Sequence, residues 1–487
     1  MLFNSYIFIL LFLPVTLAGY YLLNHIKKYN WGLVWLFGMS LWFYGYFNAR
    51  YLAIILISVC TNFTVGRWLY ILADQKKRKI LLAVGIILNI GGIFYFKYFD
   101  FFIENINILF SRNIPLKHIL LPLGISFFTF QQISYIVDCY CDKTLHYGFL
   151  EYAVYVTFFP QLIAGPIVLH SELVPQLMDH SKKKVDYNEM CRGLYAFSLG
   201  LGKKVLLADT FSLFVNYGYS NITTLSSLEG VITMLFYTLQ IYFDFSGYCD
   251  MALGIGYLFR ITLPINFNSP YKAVSIRDFW DRWHMTLTRF FTHYIYIPLG
   301  GSKNGVLRTC VNTMIVFLIS GLWHGAAWTF ILWGILHGVL MVLNRLCLPV
   351  IKKIPKLLTG ALTFLLVNLL WIFFRAKSVS EAVLLIGTIF TKPSFQISNG
   401  MADLTDDIVE MRILARLIPG SLSLNVPLCQ ILLFGVLGLF GIWFMKNTQE
   451  KVTDFTMRWT KYAVTVLLMT VSILSFSGVS EFLYFNF

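Results

Sequence analysis

Apolar residues along this chain come in long runs rather than in strand-like alternation. Runs of roughly 17 to 25 residues with few charges suffice to cross a bilayer as helices, and about eleven or twelve can be counted. The clearest cover 5–24, 51–72, 80–96, 117–137, 228–243, 326–344, 357–374, 427–445 and 462–479. Shorter runs fit re-entrant segments. The pattern predicts an all-α polytopic membrane protein of about eleven transmembrane helices, with re-entrant and interfacial helices besides. Several polar intervals are basic: "HIKKYN" (25–30), "ADQKKRK" (73–79), "SKKKVDYNE" (181–189) and "IKKIPK" (351–356). Lys and Arg mark cytoplasmic loops, so all four are expected inside. "MADLTDDIVE" (401–410) fits outside, and "KNTQEKVTDFTMRWTK" (446–461) reads as inside, which sends the carboxyl terminus out. Arg375 and Lys377 argue mildly against this threading.

Composition agrees with the runs. Of 487 residues 57% are hydrophobic and 13% charged, against about 25% charged in a soluble domain. The net charge of +14 then reports orientation rather than nucleic-acid binding. The first run, "SYIFILLFLPVTLAGYYLL", lacks a basic leader region and a small-residue cleavage site, so it reads as a span and not a secretory signal. The eight cysteines are scattered through apolar runs as buried thiols. "DCYCD" (138–142) has no second ligand pair at zinc-type spacing, so no metal site is expected. Phosphate loop, dinucleotide fingerprint and G-x-S-x-G elbow are all missing, which removes the usual support for nucleotide-driven transport and hydrolase chemistry. No internal repeat supports an inverted-repeat transporter.

Polar information concentrates between 244 and 305, a stretch too polar and too broken by Pro and Gly to cross lipid as one helix, so it is expected to be buried in protein or to line a cavity. Within it Trp280, His284 and Leu287 fall at helical i, i+4, i+7 spacing, which predicts a helix lying at the cytoplasmic boundary. Further on, "SGLWHGAAWTF" (320–330) sets His324 inside a lipid-compatible stretch. An ionisable residue there is a hypothesis about function. Taken by itself, His324 also reads as a core imidazole bonded to a neighbouring carbonyl.

The segments "FFPQLIAGPI" (158–167), "DFSGYCDMALGIG" (244–256), "INFNSPYKAVSIRDFWDRWHMTLTRF" (265–290), "YIPLGGSKNG" (296–305) and "GLWHGAAWTFILWGILHG" (321–338) together resemble the membrane-bound O-acyltransferase superfamily. More narrowly they look like its bacterial alginate O-acetyltransferase branch, which also includes the D-alanyl transfer protein of teichoic-acid modification. The resemblance implies a ring of tilted helices around a central tunnel that joins a cytoplasmic donor funnel to the outer face. It divides the chain into N-terminal helices (1–140), a core with funnel and motifs (141–350) and C-terminal helices with an extracytoplasmic aromatic tail (351–487). It also implies a multi-pass protein of the bacterial inner membrane that O-acetylates an exported or cell-surface polysaccharide such as alginate. Its W-H-G histidine corresponds to His324 as the catalytic residue, and its R-W-H histidine to His284 as a second functional position.

Acyl transfer from a thioester to a hydroxyl needs a base, and His is the side chain whose ordinary pKa lies nearest neutrality. An apolar setting disfavours imidazolium, which suits His324 to accepting a proton. Trp323, Trp283 and Trp328 would line and dry the tunnel. Lys272, Arg277, Arg282 and Arg289 are candidates for the phosphates of acetyl-CoA, the expected donor substrate, with no bound cofactor. For Arg282 and Arg289 ordinary positive-inside anchoring is the preferred reading. His337 lies about 220° round a continuous helix from His324 and reads as structural. A separate extracytoplasmic esterase-like protein is expected to complete delivery to the glycan, because the longest outer segment here, about 392–426, is too short to grip a polymer. The tail "SEFLYFNF" (480–487) holds one phenol, Tyr484, whose ester would be intermediate between thioester and sugar ester. It is a candidate acyl relay, with an interfacial aromatic belt as the competing reading. Two other functions stay open: D-alanyl transfer, and a non-enzymatic carrier of an activated group or lipid.

Overall fold

The computed structural model describes residues 1–143, 147–391, 393–415, 426–476 and 482–483. Among these residues the regular structure is entirely helical. Within the described residues seven helical stretches are long and apolar enough to cross a membrane: Phe8–His25, Arg50–Ile71, Gln75–Phe110, Gly305–His324, Trp328–Leu346, Lys356–Arg375 and Val426–Phe444. The other expected spans correspond to helices that are shorter or that bury polar residues against protein instead of lipid.

The chain opens with a π-helical turn (Phe8–Phe12) running into α1 (Leu13–His25), then α2 (Tyr29–Gly45) and α3 (Arg50–Ile71). α4 (Gln75–Ile93) passes through a second π-helical turn, Phe94–Tyr98, into α5 (Phe99–Phe110). The run expected to span at 117–137 begins instead as irregular chain. Pro122 and then Gly124, at φ +71°, delay helix α6 to Ile125–Tyr140, and most of α6 is buried within the protein.

Helices α7 (Tyr187–Gly202) and α8 (Asp209–Ser220) flank α9 (Ser227–Leu258), the 32-residue axis of the molecule. The sequence pattern breaks this helix after 243, and the structure corrects that expectation. Ser226 and Glu229 form a capping box at its start, and it is then buried almost all round. Its polar residues find partners on the π-helical turn Lys203–Ala208: Lys204 Nζ lies 2.6 Å from Asp244, and Lys203 Nζ lies 2.6 Å from Asp250. Glycines bring α7 and α9 into backbone contact. A Cβ on Gly254 would stand 2.6 Å from the Gly193 carbonyl, and one on Gly247 2.8 Å from the Gly200 carbonyl.

Two short helices follow, α10 (Ile276–Trp280) and α11 (Met285–Phe291), and then a hairpin of α12 (Gly305–His324) and α13 (Trp328–Leu346). α14 (Lys356–Arg375) packs on both α13 and α9. α15 (Val426–Phe444) and α16 (Trp459–Leu474) complete the shell. The hairpin has a basic end, where Arg308 enters α12 and Arg345 leaves α13, and a remote end, the turn Gly325–Ala327. His324 follows Arg308 by sixteen residues, about 24 Å along the helix.

The described part of the tail returns to the centre of the molecule. Phe482 is buried edge-on to Tyr248, 4.7 Å between ring centroids, with Lys204 Nζ 4.7 Å from its own centroid. The Leu483 N–H donates to Asp244 at 3.0 Å. Phe482 is thus a core residue and not part of an interfacial belt.

Candidate functional site

His324 is the last residue of α12, where helix gives way to extended backbone at Gly325. A Cβ on Gly321 would stand 2.4 Å from the Phe330 carbonyl, and one on Gly334 2.4 Å from the Phe317 carbonyl, so α12 and α13 meet backbone to backbone at this level. That close approach brings Trp333 of α13 edge-on to the imidazole, with ring centroids 5.1 Å apart. Trp323 (4.9 Å) and Phe374 of α14 (5.0 Å) complete an aromatic box. His324 is 4% exposed.

His284 reaches the same box by a break in the chain. The boundary helix expected over Trp280, His284 and Leu287 does not exist as one element. It stops at Trp280, resumes at Met285, and carries His284 between the two in the left-handed region, φ +46°. The physical reason is Asn266. Its carbonyl accepts from Met285 N–H, while its side-chain oxygen accepts from Thr286 N–H (3.2 Å) and Thr286 Oγ1–H (2.7 Å). These bonds turn the chain inward instead of letting it continue along a surface. His284 is 1% exposed, with its ring against Phe245 (4.9 Å) and Trp323 (6.1 Å). It therefore sits beside His324 in the interior, and not at a boundary.

His337 proves relevant in a way the helical-wheel argument missed. His324 and His337 lie on different helices, so their angular separation round one helix carries no meaning. His337 packs on the other side of Trp333 (4.8 Å) and accepts from Trp280 Nε1–H at 3.3 Å, bracing the box from behind.

Of the three expected tunnel tryptophans, Trp323 lines the site. Trp283 is buried one ring further out, against Phe267, Phe279 and Trp371, and Trp371 in turn packs on Trp333 and Phe374 of the box. Trp328 lies at the start of α13, 58% exposed, and donates to Asn105. The four donor-binding candidates also separate. Arg277, exposed and 3.9 Å from Asp281, lines with it a cavity of about 630 Å³, whose walls include Trp280, Phe317, Ser320 and, unanticipated from sequence, Arg345. Ser320 stands one turn before His324, so this cavity runs from the basic end of the hairpin towards the histidines. Arg282 is paired with Asp278 (2.7 Å), Arg289 with Glu172 through both terminal nitrogens, and Lys272 Nζ donates to the Met445 carbonyl. Tyr484, the candidate relay, lies outside the described residues.

Two further cavities adjoin the site on its other side. A chamber of about 30 Å³, room for about one water molecule, touches His324, Trp323, Ser126 and Lys97. A larger one of about 350 Å³ lies past the Gly325–Ala327 turn, between Tyr95, Asp100 and Phe330, and again touches Lys97. Sequence reasoning missed Lys97 as well as Trp333 and Phe374. Lys97 follows the apolar run 80–96 and Phe374 closes the run 357–374, both outside the motifs, while Trp333 falls within the segment 321–338 but carries no chemistry that singles it out; only their partners reveal them.

This arrangement supplies a buried pair of imidazoles, an aromatic enclosure on three sides of His324, a wide cavity with two arginines on one side and an open cavity on the other. A family model described as MBOAT, membrane-bound O-acyltransferase family, matches residues 123–379. The chain is 38% identical over 526 aligned positions to a peptidoglycan O-acetyltransferase of Helicobacter pylori, covering 100% of this chain and 98% of that one. It is 34% identical to a probable alginate O-acetylase AlgI of Pseudomonas putida, with both chains covered in full. A teichoic acid D-alanyltransferase of Bacillus subtilis is 28% identical across 47% of this chain and 60% of its own.

Proposed function

The chain belongs to the membrane-bound O-acyltransferase family, and on that premise we propose that it passes acetyl groups from cytoplasmic acetyl-CoA to a cell-surface glycan. The observation that carries this reading is the convergence of His324 and His284 on Trp323, with His324 one helical turn beyond Ser320 in the wall of a cavity that starts between Arg277 and Arg345. Those arginines suit the phosphates of a coenzyme A thioester, as charge-assisted donors to phosphate do. On this reading the protein lies in a bacterial inner membrane with this cavity on the cytoplasmic side and the Gly325–Ala327 turn on the outer side, which the positive-inside bias of the basic segments supports.

In the proposed reaction an acceptor hydroxyl approaches the thioester carbonyl while His324 takes its proton. The new C–O bond forms, the C–S bond breaks, and the departing thiolate receives that proton from the imidazolium. The aromatic box holds the base in place and leaves beside it only a chamber the size of about one water molecule. Tyr484 serves as the first acceptor, and an extracytoplasmic esterase-like partner carries the group on to polymer.

Peptidoglycan is the first acceptor to test, because the Helicobacter relative is named for it and is matched along the length of both chains. Alginate follows from the AlgI likeness. D-alanyl transfer has weaker support, since that likeness spans about half of this chain. The test compares acetyl content of isolated peptidoglycan and exopolysaccharide from cells with the protein, without it, and with His324→Ala. We expect acetyl esters only with the intact protein. Wild-type acetylation by a membrane-inserted His324→Ala protein sinks the base assignment, and label crossing the membrane with the thioester unbroken identifies a carrier.

A further inference from the structure

Lys97 belongs to no motif that carries the family likeness and lies outside the matched residues 123–379. It stands in the π-helical turn Phe94–Tyr98, an interruption in a helix otherwise unbroken from Gln75 to Phe110. Such turns are frequent at functional sites, because the extra residue re-aims the side chains around it.

The side chains so aimed meet the end of α12. The last carbonyls of a helix have no partner within it and must find donors elsewhere. In α12 those donors come from one source. Lys97 Nζ donates to the Trp323 carbonyl at 2.6 Å and to the His324 carbonyl at 3.0 Å, and the Tyr98 hydroxyl donates to the Leu322 carbonyl. Lys97 also reaches Ser126 Oγ of α6 at 3.5 Å and lies 6.0 Å from the centroid of the Trp323 ring. Three consecutive carbonyls that end in the candidate base are therefore fixed by two adjacent residues some 220 positions earlier.

A helix end needs no lysine for this. Helices commonly close with a glycine and backbone bonds, at no cost in buried charge. A lysine at membrane depth is expensive and has to be offset by what it holds. Lys97 and Leu121 are also the two residues common to the histidine chamber and the 350 Å³ cavity beyond the turn, so they form the partition between them.

We propose that Lys97 is a positioning residue for acyl transfer: by holding the carbonyls of Trp323 and His324 it sets the aim of the imidazole and keeps the partition closed. This rests on His324 being the base. The test uses the full-length protein in lipid nanodiscs with acetyl-CoA as donor, an extracytoplasmic transfer protein and peptidoglycan fragments as acceptors, and released thiol as readout, comparing wild type, Lys97→Met, Lys97→Arg and His324→Ala. A small misplacement of a catalytic group costs on the order of 100-fold, so Lys97→Met should lose about that much kcat. Its KM for acetyl-CoA should stay within about twofold of wild type, because the donor cavity does not touch Lys97. Lys97→Arg, which still offers donors to both carbonyls, should recover most of the rate. Wild-type kcat in Lys97→Met, beside an inactive His324→Ala, overturns the proposal, as does a KM that rises in step with the fall in kcat. Should Lys97→Met not accumulate in the membrane, Lys97→Arg decides: kcat within about tenfold of wild type supports the proposal, and a folded but inactive Lys97→Arg overturns it. An active His324→Ala removes the base reading itself, and the positioning argument with it.

Discussion

An imidazole that takes a proton from an incoming hydroxyl must keep one ring nitrogen turned to the reacting atoms, and around His324 three aromatic rings and a fixed backbone supply that constraint. His284 shares Trp323 with it but stands on the side of Phe245 and α9. A left-handed backbone at a non-glycine residue is uncommon, and here it is what carries the ring inward. We expect His284→Ala to lower acetyl transfer while the protein still inserts, measured as thiol release and as glycan acetylation. Wild-type rates in both assays would leave His284 a packing residue. Tyr484 calls for a substitution that removes only oxygen: Tyr484→Phe should abolish delivery to glycan without lowering thermal stability. Wild-type protein deprived of its partner should carry an acetyl mass on its carboxyl-terminal peptide. Full activity in Tyr484→Phe would end the relay.

Among the elements, the α12–α13 hairpin carries the site, and its geometry depends on two glycines that face one another. Adding a methyl at Gly334 places it 2.4 Å from the Phe317 carbonyl and 3.0 Å from the Gly321 Cα. Neither neighbour is a flexible side chain. Gly334→Ala should cost about 1–3 kcal/mol through forced separation of the helices, seen as a lower unfolding temperature in detergent, and should lower kcat because Trp333 moves away from the imidazole. Unchanged stability and rate would show that the hairpin accommodates the methyl. The sequence made this hairpin partly legible. Its apolar runs and W-H-G motif pointed to His324, since a histidine among greasy neighbours stands out. The break at His284 was hidden, because the apolar spacing of Trp280, His284 and Leu287 continues across it and the cause, Asn266, lies outside the pattern. Helix α9 was expected to be buried past 243, as it is, but its helical run was read as ending there, for the opposite reason. Asp244 and Asp250 look incompatible with a buried helix until Lys204 and Lys203 are placed beside them, and a linear pattern contains no such pairing.

At the scale of the molecule, one cavity ends at Ser320, a turn short of His324, and another lies past the Gly325–Ala327 turn, so the proposed donor and acceptor would approach from opposite ends of one hairpin without either crossing the membrane. Among the described residues the expected outer segment contributes the short helices Asn399–Asp407 and Val409–Ala415, and the proposed function assigns the grip on the polymer to a partner. Purified protein in liposomes with acetyl-CoA inside should therefore leave added polysaccharide unmodified until an extracytoplasmic transfer protein is supplied; acetylated polymer without that addition would refute the need for one. The bond between Lys97 and the Trp323 carbonyl also has a meaning for biogenesis, because 226 residues separate its ends. At about 5–20 residues per second a ribosome needs roughly 10–45 s to travel from one to the other. Throughout that interval α4 and α5 carry an amine into the bilayer whose carbonyl partners have not been made. Its long stem must let the head lean out towards water or headgroups, as lysines near helix ends do. Only when α12 arrives does the nascent protein withdraw Lys97 into the interior, so the site closes late in synthesis, and a chain arrested before that point would still present this lysine to the solvent.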